Sequence, residues 1–366
     1  MTKDTMTPRE RWLAAVSLQP VDRLPFWPKI FESYPRAQEA PFFDMPIPAI
    51  HQWIGSDQHI SLMPCYREVR THTVVETVTQ GYMRKTTYRT PHACLEGIDH
   101  FDVDSQSWHP VSFPVQKAED IGVLTEIYAD CRVEPDPEKL AEATAWVQQI
   151  GDGASTWSVI GESPMMNWVE YEAGVKNAHF FLADYRQDVE ALFAAHHRVL
   201  LRRAEIMADK APTDFLYMIE NTSTTLISPQ QFRTYCQRHL TDYGRVVQAA
   251  GRQLIFHMCG HLKALLPDLA SLPGSAFEAF TSPTLGNTTL LDGRTAMPDK
   301  CLIGGTNAVL WTRPTEEIIA TLEQDLGALP HHRGIVVTSA GVMPPLAKPE
   351  VIKAVADWVR AYPAHM

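Results

Sequence analysis

The chain has 366 residues, 45% of them hydrophobic, and a formal net charge of −11. The hydrophobic share supports a large core and excludes global disorder. The acidic balance excludes a general nucleic-acid binder, which needs a basic footprint, and gives no reason to expect an anionic membrane as partner. Six scattered cysteines form no disulfide framework, and "MTKDTMTPRERWLAAV" lacks a leader's apolar core. No apolar run approaches the roughly 18–20 residues that span a bilayer. These features predict a soluble, cytoplasmic protein with reduced thiols. Length alone allows two domains, but single α/β barrels exceeding 250 residues are common.

In "TPRERWLAAVSLQ", Thr7 as N-cap, Pro8 at the first helical position and Glu10 three residues after the threonine predict a capped helix. "DRLPFWPKI" reads as a short extended segment. Residues 31–60, rich in proline and aromatics, read as a long ordered loop with short helices. Residues 66–96 are rich in threonine and valine, with "TQGY" between two halves, and predict a β-hairpin at the rim.

From residue 136 onward, strands alternate with helices. The strands are "STWSVIGE", "DFLYMIEN", "RQLIFHMC", "SAFEAFT", "CLIGGTN" and "GIVVTSA". Between them lie helical stretches over 136–151, 163–182, 184–211, 228–251, 260–270 and 314–327, with a last helix over 348–362. Ser228 and Pro229 open the helix over 228–251. Short strands separated by long amphipathic helices imply parallel pairing. Glu162, Glu220, His257 with Cys259, Glu278, Asn307 and Ser339 fall at strand C-termini, which converge on one mouth in a TIM barrel. An open sheet would gather its chemistry at one switch point, and no G-x-G-x-x-G or P-loop motif occurs. The expected fold class is α/β, a TIM-like (β/α)8 barrel over 1–366. Residues 1–65 give an N-terminal helical and loop extension with the first strand, 66–96 the β-hairpin insertion, and 136–366 the main βα repeats.

"LIFHMCGH" places His257 and Cys259 two residues apart at a strand end, where both side chains point to one face. Zinc accepts both donor types, and a catalytic zinc usually has three protein ligands. Glu278, on the next strand, is the first candidate for the third, and Glu220, on the strand before, the second. The same spacing also fits a buried cysteine beside a hydrogen-bonded histidine. His261 reads as a first-turn helix residue. His196–His197 and His331–His332 read as solvated or capping residues. Cys301 begins a strand and belongs at the far end of the barrel.

"HMCG" after a strand, "IENTSTTLISPQQF" before it and "AFEAFTSPTLGNTTL" after it resemble the uroporphyrinogen decarboxylase superfamily. The closer resemblance is to its zinc-dependent methyltransferase branch, which includes methylcobamide:coenzyme M methyltransferases and corrinoid-linked demethylases. "TPRERWLAAVSLQPVDRLPFWP", the 66–96 region, "GESPMMNWVEYEAG" and "SAGVMPPLAKPEVIKAV" extend the resemblance over nearly the whole chain. A more distant likeness is to the catalytic barrel of cobalamin-independent methionine synthase.

The resemblance implies a Zn2+ site at His257, Cys259 and an acidic residue, carried over to Glu278. It implies a second cysteine in a "GCG-x-x-P" turn, where this chain has "SAGVMPP" with Ala340 in the thiol's place; another carboxylate, Met343 or water would then substitute. It also implies a methyl group moving between a small methylated substrate or thiol and a corrinoid. No D-x-H-x-x-G corrinoid motif is present, so a partner protein would supply the corrinoid, or it would arrive free. Glu162, Glu220 and Asn221 are the candidate catalytic residues, and Trp27, Phe31, Tyr34 and Trp53 would wall the mouth. The "RQAGR"-like motif of the true decarboxylases is missing. The alternatives are a metal-free decarboxylase-like lyase and a non-catalytic ligand-binding barrel.

Overall fold

The computed structural model describes residues 4–104 and 107–366. The Thr7 side chain accepts from the Glu10 N–H at 3.2 Å, and Glu10 accepts from the Thr7 N–H at 2.8 Å. This closed capping box starts the helix Pro8–Val16 where the sequence predicts it. The chain then forms β1 (Phe26–Trp27), helices Ser33–Arg36 and Ile47–Ile54, and β2 (His59–Ser61). The end of the expected 31–60 loop is thus a barrel strand, too short to leave a periodic trace in the sequence.

An insertion follows, comprising β3 (Tyr66–Val69), β4 (Val74–Gln80), β5 (Met83–Arg89), β6 (Cys94–Asp102), β7 (Ser107–Ser112) and β8 (Arg132–Pro135). The expected hairpin over 66–96 is shifted and enlarged. β4 and β5 form it, β6 and β7 extend it into a four-stranded antiparallel sheet, and β3 pairs with β8. The helices Ala118–Ala129 and Pro137–Ile150 flank β8.

β9 (Ser155–Gly161), β10 (Phe215–Ile219), β11 (Gln253–His257), β12 (Ala276–Phe280), β13 (Cys301–Gly304) and β14 (Ile335–Thr338) complete the main sheet. Its order is β1-β14-β13-β12-β11-β10-β9-β2, with every pair parallel. This is the expected TIM-like α/β barrel. The seam between β1 and β2 is closed by Asp57. Its N–H donates to the Phe26 carbonyl at 2.7 Å, and its carboxylate accepts from the Phe26 N–H at 3.0 Å. Arg11 and Arg23 reach the same carboxylate at 2.5 and 2.7 Å, and both Arg11 and Asp57 are fully buried.

Alternation sorts the strand residues into two cores. Trp27, Trp157, Phe215, Tyr217, Ile255, Ala276, Cys301, Ile303 and Val336 pack inside the barrel with Trp12. Their neighbours, such as Leu216, Met218, Phe256 and Phe277, pack outward with the helices. Three expected helices are interrupted. The 163–182 stretch is Pro164–Asn167, a widened π-turn Trp168–Glu172, and Gly174–Asp184. The break falls at Gly174, whose φ is +74° and where a Cβ would lie 2.5 Å from the Phe113 ring. The 228–251 stretch has the Ser228 cap and a π-turn at Phe232–Cys236. The 260–270 stretch holds only a 3₁₀ turn and the short helix Leu266–Ala270. The helix Leu290–Ala296, capped by Thr289, left no signal that sequence reading used. Among the described residues, no helix is long and apolar enough to cross a membrane.

Candidate active site

The C-terminal ends of the barrel strands carry unusual backbone. Lys29 after β1, Asn221 after β10, Ala279 in β12 and Ala340 after β14 have φ of 44°, 47°, 61° and 59°. Left-handed backbone at non-glycine residues costs free energy and persists only where neighbours fix it. Here the Lys29 carbonyl accepts from the Met343 N–H at 3.1 Å, and the Asn221 N–H donates to the His257 carbonyl at 3.1 Å.

His257 and Glu278 are paired residues of β11 and β12. Each continues an inward row, His257 after Ile255 and Glu278 after Ala276. Both therefore face the barrel interior at its mouth. His257 Nδ1 contacts Glu278 Oε2, and Lys29 Nζ bonds Glu278 Oε1 at 2.7 Å. All three are largely buried; Glu278 is 2% and Lys29 5% exposed. Burial alone would drive His257 toward its neutral form. The adjacent carboxylate outweighs that and raises its pKa, with the Lys29 charge opposing and the Cys259 contact assisting. Burial likewise raises Glu278, and the His257 and Lys29 charges override it and hold its pKa low.

Cys259 lies one alternation beyond His257, and its thiol donates to Asn221 Oδ1 at 3.6 Å. Asn221 Nδ2 donates in turn to Glu170 Oε2 at 3.0 Å. Glu170 sits in the π-turn, and burial raises its pKa to about 7. Glu162 accepts from Asn167 Nδ2 at 3.0 Å; burial and then the Glu170 charge raise it well above the usual carboxylate range. Gly260, directly after Cys259, has φ +103°, and a Cβ there would lie 2.8 Å from Ser223 Oγ.

The structure thus gathers Asn221, His257, Cys259 and Glu278 at one wall, with Glu162 linked to Glu170 by charge. The Glu220 carboxylate makes no hydrogen bond to these side chains, although its charge is coupled to Glu162 and Glu170. By alternation Glu220 follows Met218, on the outward face. Its fully buried carboxylate accepts from the Ser163 N–H and hydroxyl, both at 2.6 Å, which ties β10 to the loop after β9. Burial raises its pKa to about 7.

Of the expected aromatic wall, Trp27 is inside the barrel, with Lys29 Nζ 5.3 Å from its ring centroid. Phe31 packs at that cluster's edge. Tyr34 is buried with its hydroxyl on the Ala347 carbonyl at 2.6 Å, and Trp53 packs on Phe42 at the outer surface. Asn307 and Ser339 lock loops: Asn307 caps the 3₁₀ turn Ala308–Thr312, and Ser339 donates to the Gly341 carbonyl. His261 precedes the shortened helix, its N–H on Ser223 Oγ. His196 is buried and stacked on Tyr128, not solvated, while His332 bonds the Leu326 carbonyl near a helix C-terminus. Cys301 is buried at the start of β13.

Sequence reasoning missed Lys29 and Glu170. Lys29 stands in the quoted "DRLPFWPKI", two residues past a strand too short to recognise. Glu170 is delivered by a π-turn inside what reads as a continuous helix.

An imidazole, a thiol and a carboxylate at neighbouring strand ends match zinc in donor chemistry. Among the described residues, no group of three or more His, Cys, Asp and Glu side chains is arranged to hold a metal ion. Glu278 is turned onto His257 and Lys29, and Ala340 offers no donor. As placed, these side chains offer a zinc ion two donors, His257 and Cys259, one fewer than the three protein ligands usual for catalytic zinc.

A family model described as uroporphyrinogen decarboxylase (URO-D) matches residues 162–362. Among solved structures, a methyltransferase from Methanosarcina mazei matches with a TM-score of 0.62 at 16% identity, over 97% of this chain and 98% of that one. A Listeria monocytogenes protein assigned as a vitamin-B12 independent methionine synthase matches at 0.35 and 13%, over 62% and 68% of the two chains. A D-psicose 3-epimerase matches at 0.37 and 12%, over 66% and 85%. No curated protein sequence matches this chain.

Proposed function

Because the chain belongs to the uroporphyrinogen decarboxylase (URO-D) family, we propose that it is a zinc-dependent methyltransferase of that family. It moves a methyl group between a small methylated substrate or a thiol and a corrinoid brought by a partner protein. The observation that carries this reading is the His257–Cys259 pair on the inward face of the mouth, with Glu278 against the imidazole. The methyltransferase match supports it through shared fold. We place the reaction in the cytoplasm, where free thiols such as Cys259 stay reduced.

When bound, zinc would polarise the methyl donor's heteroatom or lower an acceptor thiol's pKa. The protein's own groups do the rest. Asn221 holds the Cys259 thiol on one side and Glu170 on the other. Glu170, with a pKa of about 7, can give or take a hydrogen bond from substrate near neutrality, and burial with the Glu170 charge beside it raises the Glu162 carboxyl above its usual range. Val159, Ile219 and Phe31 line the inner cluster's edge and help exclude water.

Tetrapyrrole decarboxylation needs cationic groups for substrate carboxylates. Arg11 and Arg23 are committed to Asp57 at the seam. A second reading, a metal-free lyase, is favoured by the direct Lys29–Glu278–His257 contact, which is an acid–base cluster without a metal. Metal analysis after dialysis against zinc separates the two. The coupled assay follows methylcobalamin with a thiolate: the methyl passes to sulfur, and the bonding pair stays on cobalt, taking it from Co(III) to Co(I). Zinc binding and demethylation that are both lost in His257→Ala and Cys259→Ala are expected. Protein that cannot be loaded with zinc overturns the reading.

A further inference from the structure

A cavity of about 330 Å³ opens between the end of the helix Ala118–Ala129, β8 and the helix Arg186–Lys210. None of its lining belongs to the barrel strands. Arg198 and Arg202, four residues apart on one helix face, and Arg132 at the start of β8 bring three guanidinium groups to it. Among the described residues, neither Arg132 nor Arg198 has an ion-pair partner. Arg202 pairs with Glu205 at 2.7 Å, but both side chains are about half exposed, so that pair opens at little cost. The carboxylate at the rim, Glu134, is engaged by Arg67 at 3.3 Å.

These charges do not cancel. Arg132 and Arg198 leave two unpaired cations, and the helix Ala118–Ala129 ends here with roughly half a negative charge on its free carbonyls. Roughly one and a half positive charges remain, in a chain whose net charge is −11. His197, next to Arg198, registers the same field. Burial, with the Arg238 and Arg198 charges adding to it, holds its pKa below the usual value despite Asp242. The floor of the cavity is apolar, made by Val133, Val199 and Tyr128. The Tyr128 hydroxyl is taken by Glu172 Oε1 at 2.5 Å, and His196 stacks on the ring at 4.1 Å. The tyrosine therefore offers the cavity ring surface rather than a hydroxyl.

We propose that this cavity binds a dianionic phosphate monoester with a flat apolar body. Arg132, Arg198 and Arg202 hold the phosphate, and the body lies against Tyr128 and Val199. Guanidinium forks match phosphate oxygens bidentately. A dianion meets the remaining charge more closely than a monocarboxylate does. Inorganic phosphate would leave the apolar floor in water, so the body adds affinity. The site is independent of the chemistry at the barrel mouth.

The test is calorimetric titration of the full chain with phenyl phosphate, inorganic phosphate and benzoate. It is run at low salt near pH 8, where a phosphate monoester has lost its second proton (pKa about 6). Phenyl phosphate should saturate and bind about tenfold more tightly than either of the others. Arg132→Ala and Arg198→Ala should each weaken it about tenfold or more. Arg198→Lys should recover only part of that loss, since it keeps the charge without the fork. Arg233→Ala, whose guanidinium pairs with Asp268 elsewhere, should leave the affinity unchanged. A phenyl phosphate isotherm that does not saturate at millimolar concentration, or one that neither arginine-to-alanine change weakens, overturns the site. Benzoate binding as tightly as phenyl phosphate overturns the phosphate class.

Discussion

The barrel seam offers the sharpest test of how this fold is held. Replacing Asp57 with alanine removes the fully buried carboxylate shared by Arg11 and Arg23, leaving both only the more exposed Asp4 in common, and it strands the Phe26 N–H. Arg11 keeps Asp22 at 2.7 Å and Asp4 at 3.5 Å, yet it remains fully buried and loses its one fully buried partner. Removing one member of a buried ion pair costs about 3–5 kcal/mol, and the orphaned N–H adds roughly 1 kcal/mol. Unfolding entropy of roughly 2.1 cal/mol/K per residue makes about 4 kcal/mol equivalent to a fall of about 5 °C in the melting midpoint. Scanning fluorimetry at one fixed rate measures it, with Arg233→Ala as control because its pair with Asp268 is exposed. Asp57→Asn should fall between the two, since it can still accept from Phe26. A midpoint for Asp57→Ala no lower than that of Arg233→Ala would refute the claim that this pair closes the barrel.

Three further outcomes are expected. Glu172 is fully buried, and burial raises its pKa from 4.5 to about 7. The fold keeps that proton where the unfolded chain has lost it, so stability falls as the pH rises from about 4.5 to 7 and then levels off, by about 3 kcal/mol; urea unfolding of Glu172→Gln should show a shallower slope over that window. Gly174→Ala should cost about 2–3 kcal/mol from its left-handed φ and the Phe113 ring, and a Phe113→Ala partner should recover only the packing share. Ala340→Cys should tighten zinc binding about tenfold or more and strengthen the thiolate charge-transfer band of the cobalt-loaded protein; identical spectra would remove Ala340 from the site.

The sequence carried the barrel because β9 to β14 are apolar runs, and long helices such as Arg186–Lys210, Gln237–Ala249 and Thr315–Gly327 separate several of them. It carried His257 and Cys259 because they close and follow the β11 run, and Glu278 because a carboxylate stands inside the apolar β12 run; alternation from Ile255 and Ala276 turns His257 and Glu278 inward. Glu220 also ends a strand but has the opposite parity after Met218, so its carboxylate bonds Ser163 rather than the His257 wall. Lys29 and β2 were hidden for a different reason. Strands of two and three residues are defined by their neighbours' hydrogen bonds and leave no period of their own. Glu170 was hidden by the π-turn, which inserts a residue into a helix without changing its composition.

The left-handed residues at the mouth change how mutagenesis there should be read. At Lys29 and Asn221 an alanine keeps a Cβ in a conformation that costs roughly 1–2 kcal/mol, so it deletes the functional atoms and leaves the backbone penalty in place. Glycine deletes them and relieves it. A glycine variant that is inactive yet melts no lower than its alanine counterpart reports lost chemistry. An alanine variant alone confounds lost chemistry with a loop relaxing out of shape. At these positions the apparently harsher substitution is the gentler probe.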